Sequence, residues 1–230
     1  MIVLFKFEQD FYKKFGIEAD FVGHPLLDIV KPEIPKKKDK VTIALLPVSR
    51  KQEIKRILPI MIESAKLINE KIGAKFVIAK SPNVAQNLYS NITKDTKLDL
   101  EILEDKTYET ISMSDFALVC SGTATLETAI LEKPFVIIYK TSLLNYLLYR
   151  PLIKVPFIGI VNIVAGEKII PEFIQFKAQP KEIADFCLKT LRNKTALEHI
   201  KEDLTQIKSS LGQPGAANHA ARIIIDFLKI

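Results

Sequence analysis

Two short stretches concentrate the residues with chemistry to offer. The strand-like run 116–120 passes into Ser121-Gly122-Thr123-Ala124-Thr125 and then into a helical segment. Small residues between a strand and a helix start aim free backbone N–H groups and hydroxyls at one point, and such a point holds phosphate. Ser121 or Thr123 could equally do no more than cap the helix. Glu127 bears on that choice, because a capping box would set a Ser or Thr three residues before it, and position 124 is Ala. A carboxylate in the first turn would also gain from the helix dipole alone. The chemical alternative is that Glu127 accepts hydrogen bonds from the two vicinal hydroxyls of a ribose, beside phosphates held by the N–H groups. The second stretch, Pro47-Val48-Ser49-Arg50, follows the apolar run 41–46 and opens a long helical segment. There the planar fork of Arg50 could grip two oxygens of a diphosphate, or Arg50 could be an ordinary solvated arginine.

Other chemistries have less to stand on. No Gly-x-x-x-x-Gly-Lys-Ser/Thr occurs and no Gly-x-Gly-x-x-Gly follows a strand, which argues against P-loop ATPases and simple dehydrogenases. His24, His199 and His219 lie far apart without Cys or His partners at ligand spacing, so neither a metal site nor a cofactor is expected. His24, in Gly-His-Pro, reads as a hinge residue, although an imidazole there could titrate near neutrality; His199 and His219 read as solvated. Between residues 134 and 166 there is no acid, while Lys140, Arg150 and Lys154 punctuate Leu143, Leu144, Tyr146, Leu147, Leu148, Tyr149, Leu152 and Phe157. That mixture suits a lipid-facing patch, and equally a core helix beside a neutral strand.

These residues need a scaffold, and the hydrophobic pattern supplies one. Short β-branched runs at 41–46, 75–79, 98–103, 116–120 and 134–139 read as buried parallel strands. Between the first two, Ile54, Ile57, Leu58, Met61, Ala65, Ile68 and Ile72 recur at helical spacing, and Gly73 ends the helix. Further helices fit 83–91, 108–113, 124–131 and 143–152. Alternation of this kind specifies an α/β fold, a doubly wound, Rossmann-like parallel sheet with helices on both faces. After residue 170 no strand is expected, and 180–191, 195–211 and 216–228 read as C-terminal helices. The chain opens with a strand at 2–5 and a helix at 8–15, followed by Phe-Val-Gly-His-Pro-Leu-Leu-Asp at 21–28 and a Pro- and Lys-rich linker at 31–40, in which Lys36–Lys38 read as solvated. The main boundary is expected near residue 40.

Composition agrees with a folded chain: 230 residues, 48% hydrophobic and 26% charged, exclude wholesale disorder. A net charge of +6 suits phosphate-bearing ligands or an anionic membrane surface. The aromatic and basic signatures of the common RNA modules are missing, so nucleic acid is not expected as a partner. Cys120 and Cys187 are too few for a disulfide framework and read as core thiols in a reducing cytoplasm. No apolar run reaches the roughly 18 residues of a spanning helix, and the N-terminus lacks the pattern of a signal peptide.

Phe7-Glu8 with Phe11-Tyr12, Phe21-Val22-Gly23-His24-Pro25, Leu45-Leu46-Pro47-Val48-Ser49-Arg50, Ser121-Gly122-Thr123-Ala124-Thr125-Leu126-Glu127 and Asn162-Ile163-Val164-Ala165-Gly166 follow one another along the chain. In order and spacing this series resembles the lipid-A-disaccharide synthase family. The resemblance implies an inverting glycosyltransferase of two Rossmann-like domains that joins UDP-diacylglucosamine to diacylglucosamine 1-phosphate with release of UDP, at the cytoplasmic face of the inner membrane. It covers the whole of this chain but only the second half or so of the family, whose N-terminal domain carries the expected general base. Residues 1–40 would then be the remnant of that domain plus hinge and linker, 41–175 the UDP-sugar donor domain, and 176–230 a helical segment packed on it. The resemblance sets Arg50 near the donor diphosphate, Ser121, Gly122, Thr123 and Ala124 around phosphate, Glu127 on the ribose and Asn162 near the donor cleft. Val48 stands where the family has glycine, Lys6 where proline is common and Glu167 where arginine is frequent. A truncated or split enzyme, able to pair with a separate N-terminal chain, is the expectation. Two alternatives stay open: a non-catalytic UDP-sugar-binding module, and another two-domain UDP-N-acetylglucosamine glycosyltransferase or epimerase. A strand at 2–5 lacking its sheet would favour homodimers or aggregates.

Overall fold

The computed structural model describes residues 1–33, 39–47, 49–149 and 155–228. Val48, Lys36–Lys38, Arg150, Leu152 and Lys154, all singled out above, lie outside the described residues. Among the described residues the chain begins with β1 (Ile2–Val3), α1 (Lys6–Lys13), β2 (Asp20–Phe21) and α2 (Leu26–Ile29). It then runs through β3 (Thr42–Leu46), α3 (Lys51–Ile72), β4 (Lys75–Lys80), α4 (Gln86–Thr93), β5 (Asp99–Glu104), α5 (Thr107–Ser112), β6 (Phe116–Cys120), α6 (Thr123–Ile130) and β7 (Phe135–Tyr139). After these come α7 (Leu143–Tyr149), α8 (Ile160–Ala165), β8 (Glu172–Ile174), α9 (Pro180–Leu191), α10 (Lys194–Ser210) and α11 (Ala216–Leu228).

Six of the strands form one parallel sheet in the order β5-β4-β3-β6-β7-β8. The chain steps outward from β3 to β5, returns to lay β6 beside β3, and steps outward again to β8. Successive residues of a strand face opposite sides, and the core divides accordingly. Ile43, Leu45, Phe116, Leu118 and Cys120 join α3 and α9 on one face. Ala44, Leu46, Ala117 and Val119 join α6, α8 and α10 on the other. This is the doubly wound architecture that the alternating pattern specifies.

The long helix α3 anchors the cleft loop. Ile54, Ile57, Leu58, Met61, Ala65 and Ile68 are all buried, and each full burial of an Ile, Leu or Met side chain stabilises by about 2 kcal/mol. Gly73 closes the helix at φ 58°. Its first turn is thereby fixed at the carboxyl end of β3.

Three departures from the sequence reading have physical reasons. Strands do not cease at residue 170: β8 pairs with β7 through Ile137, Ile138 and Tyr139. Three residues are too few to display a period, so tertiary pairing alone marks this edge strand. The apolar run before residue 166 contains the helix α8, closed by Gly166 in the left-handed region. The strand at the N-terminus is not without a partner, because β1 pairs with β2 in parallel and its helix begins at Lys6 rather than Glu8. Among the described residues no helix is long and apolar enough to cross a membrane.

Candidate functional site

The reversal of strand order lies between β3 and β6, and a parallel sheet opens a crevice at such a point, beyond the carboxyl ends of its strands. A cavity of about 460 Å³ occupies it, lined among others by Ser49, Arg50, Ser121, Gly122, Thr123, Ala124 and Glu127. Six of the seven predicted donor-site residues therefore meet in one hollow, although Arg50 and Glu127 are 77 positions apart in sequence.

The start of α6 is built to receive an acceptor. No side chain caps it: the Thr125 hydroxyl donates back to the Gly122 carbonyl at 2.7 Å, and the Ser121 hydroxyl donates to the Ile158 carbonyl at 3.4 Å. The capping alternative for Ser121 and Thr123 is thereby answered, and the first N–H groups of the helix remain for a ligand. Gly122 has open space where a Cβ would stand, so an anion can approach the backbone there.

Arg50 is the N-cap residue of α3; its carbonyl accepts from the N–H groups of Glu53 and Ile54, both at 3.0 Å. Its guanidinium is 82% exposed and bound only loosely, with Nη1 3.4 Å from Glu53 Oε1. An arginine so placed can turn onto a diphosphate at little cost. Two helix N-termini, α3 and α6, thus open on the same hollow and add their dipoles to its positive side.

Glu127 lies one turn into α6, and its carboxylate accepts no hydrogen bond from any described residue. Burial raises its pKa above the usual carboxylate range. Burial likewise raises the Tyr108 hydroxyl, with the Glu127 charge adding to the rise. A half-buried carboxylate with free lone pairs is suited to accepting from a pair of hydroxyls.

Lys80 was not foreseen. It ends β4, lines the cleft, has a side chain only 4% exposed, and is held 2.6 Å from Glu104. A lysine closing the run 75–79 was visible in the sequence, but only the strand order tells that β4 adjoins the switch point. Thr107, Ser81 and Glu53 complete the rim.

Asn162, the seventh of the predicted donor-site residues, is not among those that line the hollow. Its Nδ2 donates to the Ile170 carbonyl and to Glu172 Oε1, both at 2.8 Å, while its Oδ1 accepts from the Ile170 N–H at 2.9 Å. Fully buried and spent on these bonds, it ties α8 to the approach of β8. His24 is also structural: Nδ1 accepts from the Leu26 N–H at 3.2 Å, the ring packs on Phe5, and burial lowers its pKa against the opposing charge of Glu8. His219 touches the Val22 carbonyl at 3.1 Å.

Comparison with known proteins agrees with this geometry. A sequence model of the lipid-A-disaccharide synthetase family matches residues 1–226. The chain belongs to this family. It is 38% identical over 240 aligned residues to the lipid-A-disaccharide synthase of Syntrophus aciditrophicus, covering all of this chain and 63% of that one. The corresponding figures for the synthase of Persephonella marina are 36%, 97% and 64%. The chain thus spans less than two thirds of the length of these family members. In fold it is similar to the MnaA–UDP complex of S. aureus, with a TM-score of 0.66, 13% identity, and coverage of 99% of this chain and 59% of that one. The calicheamicin glycosyltransferase CalG4 gives a TM-score of 0.61 at 15% identity, covering 96% and 50%.

Proposed function

We propose that this chain is the donor-nucleotide half of a lipid-A-disaccharide synthase, binding UDP-diacylglucosamine for transfer to diacylglucosamine 1-phosphate. The observation that carries the reading is the convergence of Arg50, the uncapped start of α6 and Glu127 on one cavity at the strand switch point. In the chemistry this supports, an acceptor hydroxyl attacks the anomeric carbon from the face opposite the nucleotide, and UDP departs with inversion. Charge growing on the departing diphosphate is met by Arg50, by Lys80 and by the N–H groups of Thr123 and Ala124. Of these, the backbone N–H groups are fixed donors and cost no reorganisation as the charge develops. Deprotonation of the acceptor falls to a residue outside this cleft, in the portion of the family that the chain does not span.

On this reading residues 1–40 end a preceding domain and its hinge, 41–175 hold the donor, and 176–230 brace it; the missing function is supplied by a separate N-terminal chain or domain. The exposed leucines of α7, set in an acid-free stretch, favour a place on the cytoplasmic surface of the inner membrane. The exposed aromatic residues of α1 favour a homodimer.

Calorimetric titration of UDP into the purified chain tests the central point. Saturable one-to-one binding is expected, weakened roughly 10-fold or more by Arg50→Ala, the loss of a charge-assisted pair. A folded chain that takes up no UDP sinks the proposal.

A further inference from the structure

A second hollow, of about 490 Å³, lies beside the cleft at the carboxyl ends of β7 and β8. Its walls are mostly apolar: Tyr139, Tyr146, Val155, Ile158, Ile174 and Phe176. Tyr146 and Phe176 meet edge to face with ring centroids 5.7 Å apart. The floor is pinned by Gln175, a buried amide that accepts from the Thr141 N–H at 3.1 Å and donates to the Thr141 carbonyl at 3.3 Å. Loops after two neighbouring strands are thereby locked together. This is a formed cavity, of the size that small apolar ligands occupy.

Its position relative to the cleft is what gives it meaning. Ser121 lines the cleft, Ile158 lines the hollow, and the Ser121 hydroxyl donates to the Ile158 carbonyl. The linings of the two hollows are therefore in direct contact at this hydrogen bond. The contact is also held in place, since the Glu172 carboxylate accepts from the N–H groups of Ile158 at 3.1 Å and Gly159 at 2.9 Å. The chain runs so close over β7 that a Cβ on Gly159 would collide with Ile137 Cδ1. A ligand whose diphosphate lies at Ser121–Thr123 therefore has an apolar cavity beside it.

We infer that this hollow seats an acyl chain of the sugar nucleotide whose diphosphate the cleft holds. The assignment rests on the proposed donor reading and adds the place of the lipid. A bare sugar would find few hydrogen-bond partners on these walls; a hydrocarbon chain loses nothing by leaving water for them. The exposed leucines of α7 border the same region, since Asn145 and Tyr146 of that helix line the hollow.

The test is titration of the 230-residue chain with UDP and with UDP-N-acylglucosamines from acetyl to tetradecanoyl, below their micellar concentrations. Affinity should rise about fourfold per added methylene until the cavity is filled, then level off. Ile174→Lys and Tyr146→Ala, each verified as folded by circular dichroism, should flatten the series and leave UDP affinity within about twofold. A flat series in a parent chain that binds UDP overturns the acyl seat and spares the nucleotide site. A rising series in a chain that ignores UDP itself keeps the acyl seat and overturns the nucleotide reading. A series that rises undiminished in both variants places the chain elsewhere and overturns the inference.

Discussion

At the scale of single residues, the cleft contains a group whose stability cost and ligand role have opposite signs. Burial raises the pKa of Glu127, so over the interval above its ordinary value the folded chain still holds a proton that the unfolded chain has lost. The folded state then binds more protons, and stability falls as pH rises through that interval and stays low above it. Glu127→Gln should accordingly raise the melting temperature at neutral pH, with the gain disappearing as pH drops below the ordinary carboxylate pKa. The same substitution should weaken UDP binding about tenfold, because a neutral amide is a poorer acceptor for two hydroxyls. Thermal unfolding across pH, paired with calorimetry at pH 7, checks both signs; a variant that melts no higher than the parent contradicts the unpartnered carboxylate. Much of this was legible in the sequence. Small residues, an acid one turn on and an arginine at a helix start define their chemistry by type and spacing. Lys80 and the hydrogen bonds of Asn162 were not legible, because a lysine at a strand end and an asparagine in a helix take their partners from tertiary neighbours.

At the scale of elements, the clasp between α8 and β8 decides what Asn162 does. Removing its amide leaves the Ile170 N–H and carbonyl without their partners in a buried place and frees one oxygen of Glu172. Unsatisfied buried groups cost about 1–3 kcal/mol each, so Asn162→Ala should destabilise the chain by about 2–3 kcal/mol. In a chain of this length that is roughly 5–10 °C in melting temperature. UDP affinity should change less than threefold, since the residue lies outside the cleft; a tenfold loss of UDP with an unchanged melting point would restore it to the donor site. The contrast with the strands is instructive. β3, β4, β6 and β7 are buried on both faces and write themselves as near-continuous apolar runs, which is why their bounds emerged to within a residue or so. β8 and α8 are short and specified by one asparagine and one glutamate reaching across 10 positions, a signal with no period to detect.

At the scale of the whole molecule, two apolar surfaces differ in what should cover them. At the end of α1, Phe11 packs on Phe15 of the turn that follows, with ring centroids 5.2 Å apart, yet Phe15 remains 67% exposed, beside the two-stranded β1–β2 pair. A protruding aromatic cluster next to open strand edges suits another protein surface. On α7, Leu143, Leu144, Leu147 and Leu148 are exposed in a stretch without acids, on a chain of net charge +6, which suits anionic lipid. Sedimentation of the chain alone and with phosphatidylglycerol vesicles separates the two. The parent should sediment as dimers or larger species and should also bind vesicles, the latter less at high salt. Phe11→Glu with Phe15→Glu should return the chain to monomer and leave vesicle binding in place. Leu144→Ser with Leu148→Ser should do the reverse, lowering vesicle affinity about tenfold or more through lost apolar burial. A parent that stays monomeric at high concentration removes the case for self-association through α1, and vesicles that hold the leucine variant as firmly as the parent remove α7 from the membrane. The two surfaces belong to different elements, so either result stands without the other.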